Sequence, residues 1–298
     1  MSDALARLLD GVIDYAGLFP PAKLSMADAV GNFLRYRSGP EAWIVDRFVC
    51  SSAKLEDFRL ELDNQQISDP IPIAVIGTAA ADKEAWGDCL VHDAEAMTRF
   101  IQQVGDAADI EAFEIRVPDH QNLAEYLRDL RSFSEVEVYC ELPWSPAMQE
   151  SLGAIAEEDW LGAKARTGGL EPSAFPTSEN LAVFIQQCIQ LELDYKLTAG
   201  LHHPVRGFRD EVGAKMHGFL NVLVASTMAN SHDLTTKEVA DILECENADE
   251  IGVKGHEVRY GEWIADLEDI EDARSIFMGI GSCSIEEPLQ DLRDLNLL

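Results

Sequence analysis

The chain has little positive charge. In 298 residues, 23 Lys and Arg stand against 54 Asp and Glu, a formal charge of −31. That balance excludes the basic footprint by which proteins grip nucleic acid or anionic lipid. No apolar run approaches the roughly 18 residues that a membrane-spanning helix needs. The start, Met1-Ser2-Asp3, has no basic stretch and no apolar segment behind it, so the expectation is a cytoplasmic protein. The six cysteines (Cys50, Cys89, Cys140, Cys188, Cys245, Cys283) form no CxxC. A zinc ribbon and a dithiol redox motif are therefore unsupported, and reduced thiols are expected. There is no GxGxxG, no low-complexity stretch and no short repeat, and no cofactor is implied.

What is present is core material: 47% of residues are hydrophobic, enough to exclude wholesale disorder. Short apolar or β-branched runs alternate with helix-like stretches. Strands are expected near 12–18, 43–50, 71–77, 112–117, 136–142, 162–167, 195–201 and 276–282. Helices are expected after Ser25, from about 53, over 94–104, 123–132, 147–158 and 178–191, as one long region over 210–244, and from 287. Residues 246–262, polar and carrying Gly252, Gly255 and Gly261, read as a long connection. Eight β-α units in about 300 residues match a single (β/α)8 barrel of the TIM type, in the α/β class. A doubly wound open sheet would offer a Gly-rich turn after its first strand, but this one runs into Leu18-Phe-Pro-Pro21.

Strand side chains alternate between two faces. Four successive strands carry an apolar face opposed by a polar one: Glu114 and Arg116, Tyr139 and Glu141, Lys164 and Arg166, then Lys196 and Thr198. Helices cover the outside of a barrel, so the polar faces should point inward, toward the rim where barrel active sites are built. A structural ion-pair network, with Glu114 and Glu141 neutralising Arg116, Lys164 and Arg166, is the bland alternative. The segments after the strands contain glycines suited to close ligand approach: Gly168 and Gly169, then Gly200 before His202, His203 and Arg206, then Gly281 before Ser282 and Cys283. Together these residues point to a site for a small anionic substrate, with Arg116 and Arg166 on its carboxylate or phosphate and Glu141, Tyr139 or His202 moving protons. A metal set of Asp14, Glu141 and one of the two histidines is a second possibility, for a metal-assisted lyase or isomerase. A non-catalytic binding or scaffold barrel is a third. His217 reads as a locally packed helix residue, and Cys283 as a small apolar filler or a reactive thiol. Barrel enzymes in general suggest a homo-oligomer by fold analogy alone.

Lys164 and Lys196 fall on adjacent strands. Two nearby, partly desolvated ammonium groups lower each other's pKa, and a neutral lysine attacks carbonyl carbon to form a Schiff base; the alternative is that both simply bind an anion as fixed charges. Here Lys164-Ala-Arg-Thr-Gly168 and Lys196-Leu-Thr-Ala-Gly200 resemble the lysine motifs of class I aldolases of the deoxyribose-phosphate type, over about 45 residues. That similarity implies an aldolase-like lyase in which Lys164 forms the imine and Lys196 tunes it. Arg166 stands where that family has a small hydroxyl residue, and Phe113-Glu-Ile-Arg116 departs from its aspartate-bearing strand. Asp14-Tyr-Ala-Gly-Leu-Phe-Pro-Pro21 and the segment from Lys196 to Arg206 also resemble an uncharacterised family of bacterial barrel proteins, which implies a fold and no activity.

Overall fold

The computed structural model describes residues 1–298 except Gln66 and Ser68. In chain order the elements are α1 (Asp3–Leu9), β1 (Ile13–Tyr15), α2 (Met26–Arg37), β2 (Val45–Ser51), α3 (Leu55–Leu62), β3 (Ile71–Ile76), α4 (Lys83–Val104), β4 (Ala108–Arg116), α5 (Leu123–Asp129), β5 (Glu137–Glu141), α6 (Met148–Ile155), β6 (Leu161–Arg166), α7 (Ser178–Gln190) and β7 (Tyr195–Thr198). There follow β8 (Gly207–Arg209), β9 (Ala214–Met216), α8 (Phe219–Ser231), α9 (Thr236–Glu244), β10 (Ile251–Lys254), β11 (Glu257–Tyr260), β12 (Trp263–Ala265), α10 (Leu267–Arg274), β13 (Phe277–Ser282) and α11 (Glu286–Asp294). Strands β1 to β7 and β13 close into a parallel barrel in the order β1-β13-β7-β6-β5-β4-β3-β2. This is the (β/α)8 architecture.

Local chemistry sets the helix starts. Ser25, Asp82 and Thr177 each accept a backbone N–H three residues on, and Thr235 with Glu238 forms a reciprocal capping box. The outward faces of the strands are apolar, as the alternation demands. Phe113, Ile115, Val138, Cys140, Ala163, Ala165 and Leu197 are buried against the helices. Inside the barrel, Val49, Ala74, Ala112 and Tyr139 form a small separate apolar layer.

Three regions differ from the sequence reading. The expected helix over 210–244 is a β8–β9 hairpin followed by two helices, α8 and α9. Helix α8 is buried from Phe219 to Met228 because other elements cover its outer face, and its Asn221, Ser226 and Thr227 side chains are hydrogen-bonded to backbone carbonyls there. That cover includes the second correction: the polar connection at 246–262 is a three-stranded antiparallel sheet, β10-β11-β12. Its glycines mark turns, Gly255 at φ +56° and Gly261 at φ +58°, and Val253, Val258 and Ala265 supply its buried face. Third, β1 is only three residues long, and α1 and α10 were not anticipated. His217 lies between β9 and α8 rather than in a helix. Its Nε2 meets the Pro176 carbonyl and its Nδ1 the Arg206 guanidinium. Burial lowers its pKa to about 4, so it is neutral at neutral pH.

Candidate active site

The inward residues of five strands converge at the C-terminal end of the barrel, around a cavity of about 670 Å³. Strand β1 contributes Asp14, β4 Glu114 and Arg116, β5 Glu141, β6 Lys164 and Arg166, and β7 Lys196 and Thr198, all on the lining. Register makes them neighbours: Arg116 is opposite Glu141, Glu141 opposite Lys164, and Lys164 opposite Lys196.

The charges form one chain. Glu114 places Oε2 at 2.7 Å from Lys164 Nζ and Oε1 at 2.9 Å from Lys196 Nζ. Lys164 also meets Glu141 at 3.2 Å, and Arg166 Nε stands 3.5 Å from the other Glu141 oxygen. Lys196 is paired with Asp14, whose second oxygen accepts the Arg47 backbone N–H at 3.2 Å. Both lysines are buried, as are Glu114 and Asp14. Arg116 and Arg166 are exposed at the mouth, and Arg116 makes no ion pair or hydrogen bond among the described residues.

This overturns the expectation that the lysines depress one another. Burial does pull Lys164 down, but Glu114 and Glu141 more than offset it, and the net shift is upward. Lys196 is likewise raised, since Asp14 and Glu114 outweigh its burial. Burial raises Glu114, yet the two ammonium groups bring it to about 2. Glu141 is lowered by Lys164 and Arg166 against the same burial. At rest both lysines are therefore ammonium ions and both glutamates carboxylates.

Other expected site residues divide. Gly169, Gly200, Gly281, His202 and His203 line the cavity. His202 Nδ1 lies 3.2 Å from Glu287, which also lines it, and His203 Nδ1 lies 2.6 Å from Asp291. Ala199 and Gly200 both have left-handed backbones, at φ +64° and +76°, which turns the chain sharply at the rim. Tyr139 is not at the mouth. It lies below the lysines, with its ring 5.0 Å from Lys196 Nζ and its hydroxyl donating to Glu137 at the opposite end of the barrel. Gly168, Arg206 and Ser282 are also off the lining. Gly168 packs backbone to backbone on Gly200, Arg206 turns to His217, and the Ser282 hydroxyl donates to the Ser284 carbonyl. Cys283 is buried on the lining, with its thiol pushed up by burial, which suits a filler better than a nucleophile. The metal set is not assembled: among the described residues no three His, Cys, Asp or Glu side chains are grouped to hold an ion.

Sequence reasoning gave Glu114 only a neutralising role and Asp14 only a place in the metal set. Applying the alternation rule to the short first strand would have put Asp14 on the inner face; its pairing with Lys196, two strands away, needs the closed barrel. Phe19, Pro20 and Met216, which wall the cavity, left no signal, because their placement depends on loop and hairpin geometry.

The fold and site define a (β/α)8 barrel with a lysine–carboxylate network on the floor of its rim cavity. Compared with known proteins, the chain gives no significant match to any family model, curated protein or solved structure. No helix is long and apolar enough to cross a membrane, among the described residues.

Proposed function

We propose that this barrel is a lyase-type enzyme that acts on a small anionic carbonyl compound through an imine on Lys164. The observation that carries this reading is the pair of in-register lysines joined by Glu114 on the floor of an open cavity with exposed Arg116 at its mouth. A purely structural network would have no need of the opening or of an arginine exposed at its mouth that reaches Glu141 only through its field.

Lys164 is the better nucleophile of the two. Its second carboxylate, Glu141, reaches the half-exposed Arg166, whereas the second carboxylate of Lys196, Asp14, is buried and accepts a further backbone N–H. An anionic substrate that docks on Arg116 and Arg166 draws Arg166 away from Glu141, and Glu141 becomes more basic. It then takes a proton from Lys164. The neutral amine attacks the carbonyl carbon, a C–N bond forms as the C=O π bond breaks, and a proton passes from the nitrogen to the oxygen to leave a hydroxyl. That hydroxyl leaves as water with the proton returned by Glu141, giving the protonated imine. The imine accepts the electron pair of the bond that breaks next, and the Lys196 ammonium, held by Glu114 and Asp14, keeps the neighbourhood positive.

The test is borohydride reduction with a panel of small oxo-acids and aldehydes, followed by peptide mass spectrometry. The expected adduct is on Lys164; it is absent in Lys164→Met and forms roughly 10²–10⁴-fold more slowly in Lys196→Met. Turnover of a panel compound with no adduct on either lysine rejects the imine.

A further inference from the structure

We infer that the substrate carries a single carboxylate as its anionic group, and is not a phosphate ester. This rests on the ligand-binding reading of the cavity above, and it adds the chemistry of the group that is gripped.

Phosphate in a barrel of this type is held by backbone N–H groups of the loops after the seventh and eighth strands and of the helix start beyond them. In this chain the protein itself takes two of those groups after the eighth strand. The Ser284 N–H donates to Ser282 Oγ at 3.3 Å, and the Glu287 N–H donates to Ser284 Oγ at 3.2 Å. The glycines there serve packing rather than approach to a ligand. A Cβ on Gly281 would lie 2.8 Å from Thr198 Oγ1, and one on Gly200 would lie 2.9 Å from Gly168 Cα. The first turn of α11 carries Glu286 and Glu287, and Glu287 faces the cavity. A phosphate dianion placed there would meet a carboxylate at the helix start, where the dipole would otherwise have welcomed it.

The cations that are free to bind an anion lie elsewhere. Arg116 ends β4 and Arg166 ends β6, on either side of Glu141. In the closed barrel β4 is four strands from β13, so Arg116 stands across the mouth from the acidic start of α11. The cavity is thus polarised, with guanidinium groups on one side and Glu287 on the other. On the strand-borne floor and arginine side, Arg116, Arg166, Lys164 and Lys196 give +4 and Asp14, Glu114 and Glu141 give −3, a sum of +1; Glu211 and Glu287 bring the whole lining to −1, which disfavours a dianion. Planar guanidinium groups match carboxylate and phosphate alike in two-point geometry, so the choice between them falls to the charge of the lining and to Glu287. The rest of the substrate then points toward Glu287 and the histidines. It must lack a second negative charge there, and hydroxyl or amine donors suit it.

The test measures binding, which requires no imine. Glyoxylate, pyruvate and 2-oxobutanoate, with inorganic phosphate and methyl phosphate, are titrated calorimetrically into the intact protein and into Arg116→Ala and Arg166→Ala. The expected result is 1:1 binding of at least one oxo-acid, weakened tenfold or more by Arg116→Ala, with both phosphates binding more weakly. Tighter phosphate than oxo-acid binding, oxo-acid binding indifferent to both substitutions, or no oxo-acid binding at millimolar concentration overturns the inference. Oxo-acid binding through Arg116 without a borohydride adduct removes the imine and leaves the carboxylate. A Lys164 adduct with glyceraldehyde 3-phosphate, formed as fast in Arg116→Ala as in the intact protein, does the reverse.

Discussion

Lys164 and Lys196 stand opposite each other in register on neighbouring strands, and one carboxylate, Glu114, holds both, at 2.7 and 2.9 Å. Two buried ammonium groups on adjacent strands would repel strongly in the low dielectric of a barrel interior. The shared carboxylate turns that repulsion into a fixed geometry. It also means that neither lysine is deprotonated at rest, so nucleophilic chemistry has to begin with a proton transfer.

Glu114→Gln should therefore destabilise the fold by about 3–5 kcal/mol, because it leaves two buried cations short of a counter-charge. The loss should depend on pH. Glu114 sits at about 2 in the fold against an ordinary carboxylate value of 4.5, so its contribution is complete above about 4.5 and fades as pH falls toward 2. Urea midpoints of the wild type and the variant should converge over that window and stay apart from pH 5 upward. A constant gap between the two curves from pH 6 to pH 2 would show that the ionised Glu114 does not hold the lysines.

Adding one methyl group separates packing glycines from idle ones. In Gly168→Ala the new Cβ would lie 2.7 Å from Gly200 Cα, a backbone atom, so the two rim loops must part. The expected cost is about 1–3 kcal/mol. Gly31→Ala, in the middle of α2 with nothing within 4 Å of the new Cβ, should instead stabilise by about 0.5–1 kcal/mol. Denaturant titration of both variants checks the opposite signs, and a gain in stability for Gly168→Ala would refute the close-approach role.

Asp93, fully buried in α4, ties together the loops that follow β2 and β3. One oxygen accepts from Ser52 Oγ at 2.6 Å and Thr78 Oγ1 at 2.7 Å, and the other accepts the Thr78 N–H at 2.7 Å. Asp93→Ala leaves the buried Thr78 N–H without its acceptor and the Ser52 and Thr78 hydroxyls without their shared partner. A loss of about 2–3 kcal/mol is expected in thermal or urea unfolding. An unchanged midpoint would mean that the two loops are anchored by other contacts.

The alternation of polar and apolar residues in β4 to β7 made the inner face of the barrel readable, and with it the convergence of Glu114, Glu141, Lys164 and Lys196. A period of two needs only the sequence and a decision about which face is covered. The protonation of the lysines was not readable, because its sign depends on which oxygens lie within 3 Å, and those come from β1 and β4, far away in the chain. The position of Tyr139 was missed for a related reason. Alternation places it on the inner face, but its height along the barrel is fixed by register with β4 and by the Glu137 carboxylate. The β10–β12 sheet was hidden because its strands have three or four residues and expose every second side chain, which reads as polar connection.

The aromatic ring of Tyr139, with Val49, Ala74 and Ala112, gives the barrel a sealed base. On the far side of that base Arg47 is held by Glu111 and Glu137, each at 2.9 Å. Among the described residues this base closes the lower end of the hollow and leaves the rim as its opening. Under the proposed function, entry and exit share the rim between the arginines and Glu287.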